Sequence, residues 1–269
     1  MSPVSYRNFT GTAAENYQRS FVPAIATPVS ADLLRTADLQ PAERVLDVAC
    51  GTGLIARLAA ERVGPAGSVT GIDLAPDMID VAKGIPSPAG PHIDWHVGDA
   101  AALPFPDDSY DAVLCQLGLM FIEDRLAALA EMRRVLAFGG RLVVSTPGNI
   151  HPIFEIMEQA LVDHISPELG GFVRAVFSLQ DPHAVATLLR EAGLDDVSST
   201  VSTATFQLPA PSEFLWQYIN LTPMGPVVAK APDSAQSAME RQVVNRWQPY
   251  VVNSSMQVDQ PMVIATGGK

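Results

Sequence analysis

The nine residues from Val45 to Gly53, Val-Leu-Asp-Val-Ala-Cys-Gly-Thr-Gly, constrain the fold more than any other stretch of the chain. The short apolar run over residues 45–49 is typical of a buried parallel strand. Residues 54–62, rich in Leu, Ala and Arg without Gly or Pro, predict a helix. Glycine between the two lets a ligand approach the backbone, and the helix N-terminus offers free N–H groups. The stretch predicts a site for a nucleotide-like small molecule, with an ordinary strand–helix turn as the alternative.

The glycine turn alone does not identify the nucleotide. Gly51-Thr52-Gly53-Leu54-Ile55-Ala56 satisfies the relaxed dinucleotide fingerprint, and an acid, Asp73, follows about twenty residues later. NAD and S-adenosylmethionine are both compatible with these residues.

Composition restricts the class of function. The 269 residues, 48% of them hydrophobic, suffice for one large α/β domain with an insertion. The net charge of −12 argues against nucleic acid and anionic membrane as partners. Two cysteines, Cys50 and Cys115, predict no disulfide framework and no metal site, which favours a cytoplasmic protein. The sequence shows neither a signal-peptide pattern nor an apolar run of the ~18–20 residues that a membrane helix needs.

Strand-like and helix-like segments alternate after the glycine turn. This alternation predicts a doubly wound, parallel α/β sheet. Predicted strands cover residues 69–72, 93–97, 112–115, 141–146, 196–206 and 262–265. Predicted helices cover residues 76–83, 123–136 (ended by Phe138-Gly139-Gly140), 152–164 and 181–192.

Residues 1–40 precede the first strand and predict a helical cap. A capping box at Thr12–Glu15 starts a short helix, and a second helical piece runs from Pro23 to Leu39. Aromatic residues in this region indicate either a lid over the site or a clamp on the first helix. They are Tyr6, Phe9, Tyr17 and Phe21.

Residues 209–255 form a mostly helical insertion before the last strand. Insertions at the carboxyl edge of such a sheet often form a substrate pocket, so we expect a substrate cap here. The core domain then comprises residues 41–208 and 256–269.

Four motifs in sequence order resemble those of the class I S-adenosylmethionine-dependent methyltransferases, and most of all the small-molecule group that includes the ubiquinone/menaquinone C-methyltransferases. They are Val45–Gly53, Gly71–Met78, Gly98–Asp111 and Glu131–Gly140. The resemblance covers residues 41–148 and continues more weakly through residues 181–206 and the final strand. It implies a seven-stranded, mostly parallel sheet with an antiparallel last strand, and S-adenosylmethionine as the cofactor, with S-adenosylhomocysteine as the product. An NAD(P)-dependent oxidoreductase is the second hypothesis, and a binding protein without turnover is the third.

The resemblance and the strand ends together predict the cofactor contacts. Asp73 accepts from the ribose hydroxyls, Asp99 and the N–H of Ala100 meet the adenine, and Asp47 orders the glycine turn. The predicted cofactor residues are Tyr17, Asp47, Ala49, Gly51, Gly53, Asp73, Leu74, Met78, Gly98, Asp99, Ala100 and Gln116.

Methyl transfer from a sulfonium is an in-line displacement in which the protein mainly positions the acceptor and excludes water. His151 is the candidate general base, with a structural role at a helix start as its alternative, and Gln116 is a second catalytic candidate. The predicted substrate contacts are Phe21, Met120, Phe121, Trp216 and Tyr218. We expect a monomer or homodimer that methylates an O, N or C atom of a small, hydrophobic or aromatic metabolite.

Overall fold

A mixed β-sheet forms the centre of the computed structural model, which describes residues 12–86 and 90–269. The strands found in this part of the chain are β1 (Arg44–Val48), β2 (Ser68–Asp73), β3 (Ile93–Val97), β4 (Tyr110–Gln116), β5 (Leu136–Pro147), β6 (Asp195–Leu208), β7 (Val251–Val252) and β8 (Ser255–Gly268). Seven of them follow the order β3-β2-β1-β4-β5-β8-β6, and the short β7 pairs with β8. β1 to β5 pair in parallel, while β8 is antiparallel to both neighbours. The predicted α/β fold with an antiparallel last strand is confirmed.

Helices cover both faces of the sheet. They are α1 (Thr12–Asn16), α2 (Thr27–Ala37), α3 (Leu54–Val63), α4 (Pro76–Gly84), α5 (Arg125–Val135), α6 (Pro152–His164), α7 (Glu168–Val176), α8 (Pro182–Glu191), α9 (Pro211–Asn220), α10 (Gly225–Val228) and α11 (Asp233–Trp247). α2 and α3 pack on one face of the sheet, together with the side chain of Val45. α5 and α8 pack on the opposite face, together with the side chain of Leu46. Successive strand residues point to opposite faces, so β1 must be apolar on both sides.

The prediction of a separate helix beginning at Pro23 is wrong. α1 and α2 are joined by a π-helical turn, Tyr17–Ala26, that contains Pro23 and makes residues 12–37 one helical segment. Thr27 donates its backbone N–H to Val22 O, five residues back. Proline has no N–H to donate, and in an α-helix its ring clashes with the carbonyl group one turn earlier. The wider π-helical turn leaves room for the ring of Pro23. We call residues 12–37 the N-terminal segment; Tyr6 and Phe9 lie outside the described residues.

The expected stop at Phe138-Gly139-Gly140 is also wrong, because α5 already ends at Val135. β5 begins at once, and Leu136 pairs with Tyr110 of β4. Gly139 has φ +79°, and its N–H donates to Lys269 O over 2.9 Å. The glycines therefore belong to the start of β5 and join it to the end of the chain.

A second apolar core lies beyond the sheet. α6, α7, α9 and α11 pack there with β6 and the first half of β8. Trp247 is fully buried and donates its indole N–H to Ile153 O over 3.0 Å. The mostly helical character predicted for residues 209–250 is confirmed, and α7 is a helix that the sequence did not predict. In the described part of the chain no helix is long and apolar enough to cross a membrane.

Candidate active site

A cavity of about 790 Å³ lies along the carboxyl ends of the parallel strands. At one end it is lined by residues that follow β1, β2 and β3, including Gly51, Asp73 and Asp99; we call this the glycine-turn end. At the other end it is lined by aromatic side chains beside β8 and β6; we call this the aromatic end. Gln116, at the end of β4, lies between the two because β4 separates β1 from β5.

The glycine turn is held open by backbone hydrogen bonds and positive φ angles. Cys50 donates its N–H to Ile72 O over 3.0 Å, and Gly53 donates to Cys50 O over 2.9 Å. Gly51 has φ +53°, and a Cβ placed on it would stand 3.6 Å from the Tyr17 ring. Tyr17 of the N-terminal segment thus lies beside the turn, where an added side chain would narrow the cavity.

Gly53 lies against a ring that the motif does not contain. It does not line the cavity, whereas Gly51 does. A Cβ on Gly53 would stand 2.2 Å from Cη2 of Trp95, and one on Gly71 would stand 2.5 Å from the same ring. Gly53, at φ +82°, therefore makes room for Trp95.

Asp73 fixes the turn and still has capacity to accept further hydrogen bonds. Its Oδ2 accepts from the N–H of Gly51 over 2.8 Å, and its Oδ1 accepts from the N–H of Ala75 over 2.9 Å. Burial raises the pKa of this carboxyl, while the N–H groups of Ala75 and Gly51 act in the opposite direction. Backbone hydrogen bonds from Ala75, Gly51 and Leu74 leave the carboxylate at least one of its four lone pairs for a further donor.

Asp47 lies beneath the turn and does not line the cavity. Its Oδ2 accepts from the N–H of Ala56 over 2.9 Å, which ties β1 to α3. Burial raises the pKa of Asp47 to about 8, partly offset by that hydrogen bond and by the charge of Arg57. The carboxyl is placed to order the turn, as the sequence predicts.

The remaining predicted cofactor residues line the glycine-turn end. Asp99 accepts from the N–H of Ala101 over 2.9 Å and is exposed, so one of its oxygens is open to a ligand. Met78 is buried, Leu74 is exposed, and both line this end of the cavity. The predicted cofactor residues that line the cavity are Tyr17, Ala49, Gly51, Asp73, Leu74, Met78, Gly98, Asp99, Ala100 and Gln116.

Gln116 joins the sheet to the N-terminal segment. Its Nε2 donates to Ala26 O over 3.1 Å. Its Oε1 is buried and has no hydrogen-bond partner among the described residues. A buried acceptor without a partner is costly, so this atom is available to a bound donor.

The aromatic end contains four of the five predicted substrate residues and several that the sequence analysis missed. Phe121 stacks on Phe172 with ring centroids 6.2 Å apart, and Phe21 stacks on Tyr17 at 4.7 Å. The predicted residues that line the cavity are Phe21, Met120, Phe121 and Tyr218. The missed residues include Phe154, Phe172, Phe177, Phe206, Gln260 and Met262.

Among the predicted catalytic and substrate residues, His151 and Trp216 do not line the cavity. His151 caps α6, where its Nδ1 accepts from the N–H of Ile153 over 3.3 Å, and its ring packs against Tyr250. Burial lowers the pKa of His151. Trp216 is half-buried against the second core and is absent from the lining. The alternative role of His151 at a helix start fits its contacts better than that of a base.

The comparisons with known proteins agree with this arrangement. The protein-family model described as a methyltransferase domain matches residues 45–140 of this chain. A demethylmenaquinone methyltransferase from Deinococcus radiodurans is 35% identical over 162 residues, which cover 56% of this chain and 67% of that protein. One from Staphylococcus epidermidis is 32% identical over 177 residues, or 61% of this chain and 73% of that protein.

Solved structures give the same fold. A phosphoethanolamine N-methyltransferase 2 from Haemonchus contortus, bound to phosphomonomethylethanolamine and S-adenosylhomocysteine, superposes with a TM-score of 0.60 at 20% identity. The match covers 99% of this chain and 60% of that one. A Bacillus halodurans protein assigned as a methyltransferase has a TM-score of 0.56 at 20% identity, covering 89% of this chain and 98% of that one.

Fold, site and relatives together define a class I S-adenosylmethionine-dependent methyltransferase, and this chain belongs to that family. Within the family it is related to the demethylmenaquinone methyltransferases. It is an enzyme that transfers a methyl group from S-adenosylmethionine to a small molecule, and nothing in the comparisons favours the oxidoreductase hypothesis.

Proposed function

We propose that the acceptor is a neutral, largely apolar aromatic small molecule that binds in the aromatic end of the cavity. The observation that carries this proposal is the composition of the lining. Phe154, Phe172, Phe177, Phe206 and Tyr218 come together there, and the described lining contains no Lys or Arg. An anionic acceptor would be desolvated without a counter-charge, which is unfavourable.

The charged side chains of the lining are all acidic. Asp73 and Asp99 lie at the glycine-turn end, and Glu123 and Asp124 follow Phe121. Acidic groups favour a cation such as the sulfonium or ammonium group of S-adenosylmethionine, and they disfavour phosphate or carboxylate acceptors. The curated relatives are named for demethylmenaquinone, and a quinone-type ring fits a lining of this chemistry.

The glycine-turn end supplies a consistent set of contacts for S-adenosylmethionine. Asp73 would accept from the ribose hydroxyls, Asp99 from the adenine amino group, and Met78 and Leu74 would flank the ring. S-adenosylmethionine supplies an electrophilic methyl group when bound. The protein's part is to hold the two reactants at the junction near Gln116 and to exclude water from it.

The N-terminal segment would act as a lid on the glycine-turn end. Tyr17 lies beside Gly51, and Gln116 holds the backbone of Ala26. The cap of the aromatic end would come mainly from α6 and α7, which carry Phe154 and Phe172. Residues 209–255 contribute Tyr218 to the described lining, so the predicted insertion is a smaller part of the cap than expected.

Two further expectations concern partners and location. The net charge of −12 supports small molecules, not nucleic acid or an anionic membrane, as the binding partners. Cys50 and Cys115 are free and buried, which supports a reducing cytoplasm as the compartment.

Methyl transfer to a matched pair of acceptors tests the proposal. The purified protein is incubated with S-adenosylmethionine carrying a labelled methyl group and with either 1-naphthol or 4-hydroxynaphthalene-1-sulfonate, which keeps the hydroxyl and adds one negative charge. Labelled product from the neutral compound, and at least about tenfold less from the sulfonate, is expected. Equal or greater transfer to an anionic counterpart, across several such pairs, would overturn the assignment of a neutral acceptor.

A further inference from the structure

Gln260 is a polar residue in an otherwise apolar row. The inward residues of the first half of β8 alternate along the strand, and all of them are buried. Met256, Val258 and Met262 belong to the second apolar core, while Gln260 stands between them with 2% of its surface exposed. Gln260 and Met262 both line the aromatic end of the cavity. Burying an amide among apolar side chains costs free energy unless its polar atoms form hydrogen bonds.

Hydrogen bonds fix the orientation of the Gln260 amide. Its Nε2 donates to Asn149 O over 2.9 Å and to Pro261 O over 2.8 Å. Both partners are carbonyl oxygens, so the reversed amide would set Oε1 against two acceptors. The nitrogen must therefore face them, and the oxygen must take the other side of the group.

Among the described residues, the buried Oε1 of Gln260 has no hydrogen-bond partner. Asn149, in the loop after β5, and Pro261, on β8 itself, already use both hydrogens of Nε2, so the side chain cannot turn to satisfy Oε1 internally. Native proteins rarely leave such an acceptor unpaired unless a ligand or water completes it.

We propose that Oε1 of Gln260 accepts a hydrogen bond from a hydroxyl group of the acceptor, and that the enzyme therefore selects hydroxyl-bearing aromatic compounds over analogues that lack the donor. The inference rests on the proposed function, because it assumes that an aromatic acceptor occupies this end of the cavity. Gln260 is a positioning residue: it fixes the ring relative to the reaction point through a group that need not be the one methylated. Sites that hydrogen-bond a substrate hydroxyl reject analogues without it far better than apolar walls distinguish sizes.

The test compares binding of 1-naphthol with that of 1-methoxynaphthalene, whose oxygen carries no hydrogen. Each is titrated calorimetrically into the protein saturated with S-adenosylhomocysteine. The wild type is expected to bind 1-naphthol at least about tenfold more tightly. Gln260→Met, which keeps the shape and removes the acceptor, is expected to bind both compounds within about twofold.

Two further variants separate recognition from loop support. Gln260→Glu sets one carboxyl oxygen against the carbonyls of Asn149 and Pro261, so we expect this carboxyl to be protonated and to donate to one of them. Its other oxygen still accepts, so the variant should retain the preference for 1-naphthol. Gln257→Met makes the same substitution on the same strand at an exposed position, and should behave as the wild type. Titration with S-adenosylhomocysteine alone and thermal unfolding verify that each variant is folded.

Each outcome decides between the two proposals. Equal binding of both compounds by the wild type, or loss of the preference in Gln260→Glu as well as Gln260→Met, would overturn the role of Gln260 and leave the neutral aromatic acceptor standing. Failure of both compounds to bind a protein that binds S-adenosylhomocysteine would overturn both. Retention of the preference in Gln260→Met would assign the selection to another residue.

Discussion

The hydroxyl of Thr52 donates a hydrogen bond to Oε1 of Gln18 over 2.6 Å and so joins the glycine turn to the N-terminal segment. Thr52 is 1% exposed, so the bond is shielded from water. The residue before Gln18 is Tyr17, whose ring lies beside Gly51. This side-chain contact thus helps to hold the segment beside the glycine-turn end of the cavity, the proposed cofactor site.

Breaking this contact should weaken cofactor binding without unfolding the protein. Thr52→Val keeps the shape of the side chain and removes the donor, and Gln18→Leu removes the acceptor. We expect each to raise the Kd for S-adenosylhomocysteine about 3- to 10-fold, as the loss of one hydrogen bond of about 1 kcal/mol implies. The double variant should be little worse than either one; strictly additive effects would show that the two residues act separately.

Gly53→Ala should be strongly destabilising because of Trp95, and Gly139→Ala is its matched control. Both glycines have φ near +80°, but a Cβ on Gly53 would meet Trp95 at 2.2 Å whereas one on Gly139 would meet nothing within 4 Å. We expect Gly139→Ala to lower the free energy of unfolding by about 1 kcal/mol and Gly53→Ala by about 2–4 kcal/mol. Urea unfolding measures both. Equal losses would show that the φ angle alone, and not the ring, requires glycine at residue 53.

The buried carboxyl of Asp47 should make the free energy of unfolding fall as the pH rises. Its pKa is 3.8 as an ordinary carboxyl and about 8 in the buried site, so the folded protein holds one more proton between these values. The contribution of this group to the free energy of unfolding is therefore fully present below pH 4 and is lost as the pH rises through about 8.

Asp47→Asn removes that titration and can still accept from the N–H of Ala56. Relative to the wild type, the variant should gain at least about 1 kcal/mol of stability between pH 5 and pH 9. Thermal unfolding of both proteins across this range gives the comparison. A difference that does not change with pH would mean that the Asp47 carboxyl is ionised throughout.

His151→Ala should affect stability and not catalysis. The ring caps α6 through the N–H of Ile153 and does not line the cavity. We expect a loss of about 1 kcal/mol in the free energy of unfolding, which His151→Asn largely restores because asparagine is a good helix cap. The kcat for methyl transfer should stay within about 3-fold. A fall of 100-fold or more, with the acid limb of the pH profile removed, would instead identify a general base.

The glycine-turn end could be predicted from the sequence because strand ends determine it. Asp73 and Gln116 end strands with short apolar runs, and Asp99 follows a strand in which apolar and polar residues alternate. Parallel strands bring their carboxyl ends to one edge of the sheet. Gly53 is an exception. Gly53 sits in the same motif as Gly51, yet the space that it leaves is filled by Trp95, which the motif does not contain.

The aromatic end could not be predicted because it depends on tertiary packing. Phe154 and Phe172 have the spacing of ordinary core residues on amphipathic helices, and nothing local distinguishes a residue that lines a cavity from one that fills a core. Glycines 170 and 171 lower the helix propensity of this segment, yet α7 forms, and the bare Gly170 lets it approach Val162 of α6. Gln260 was missed because a glutamine within a strand carries no signal until its burial is known.

The most direct test of the account is calorimetric titration of S-adenosylmethionine and S-adenosylhomocysteine into the wild type, Asp73→Asn and Asp80→Asn. Asp80 is exposed on α4 and does not line the cavity, so it controls for the change of charge. We predict micromolar binding by the wild type and Asp80→Asn, and binding at least about tenfold weaker by a folded Asp73→Asn, since a charge-assisted hydrogen bond contributes about 1.5–3 kcal/mol. No binding by the wild type, or equal binding by all three proteins, would contradict the assignment of this cavity to the cofactor.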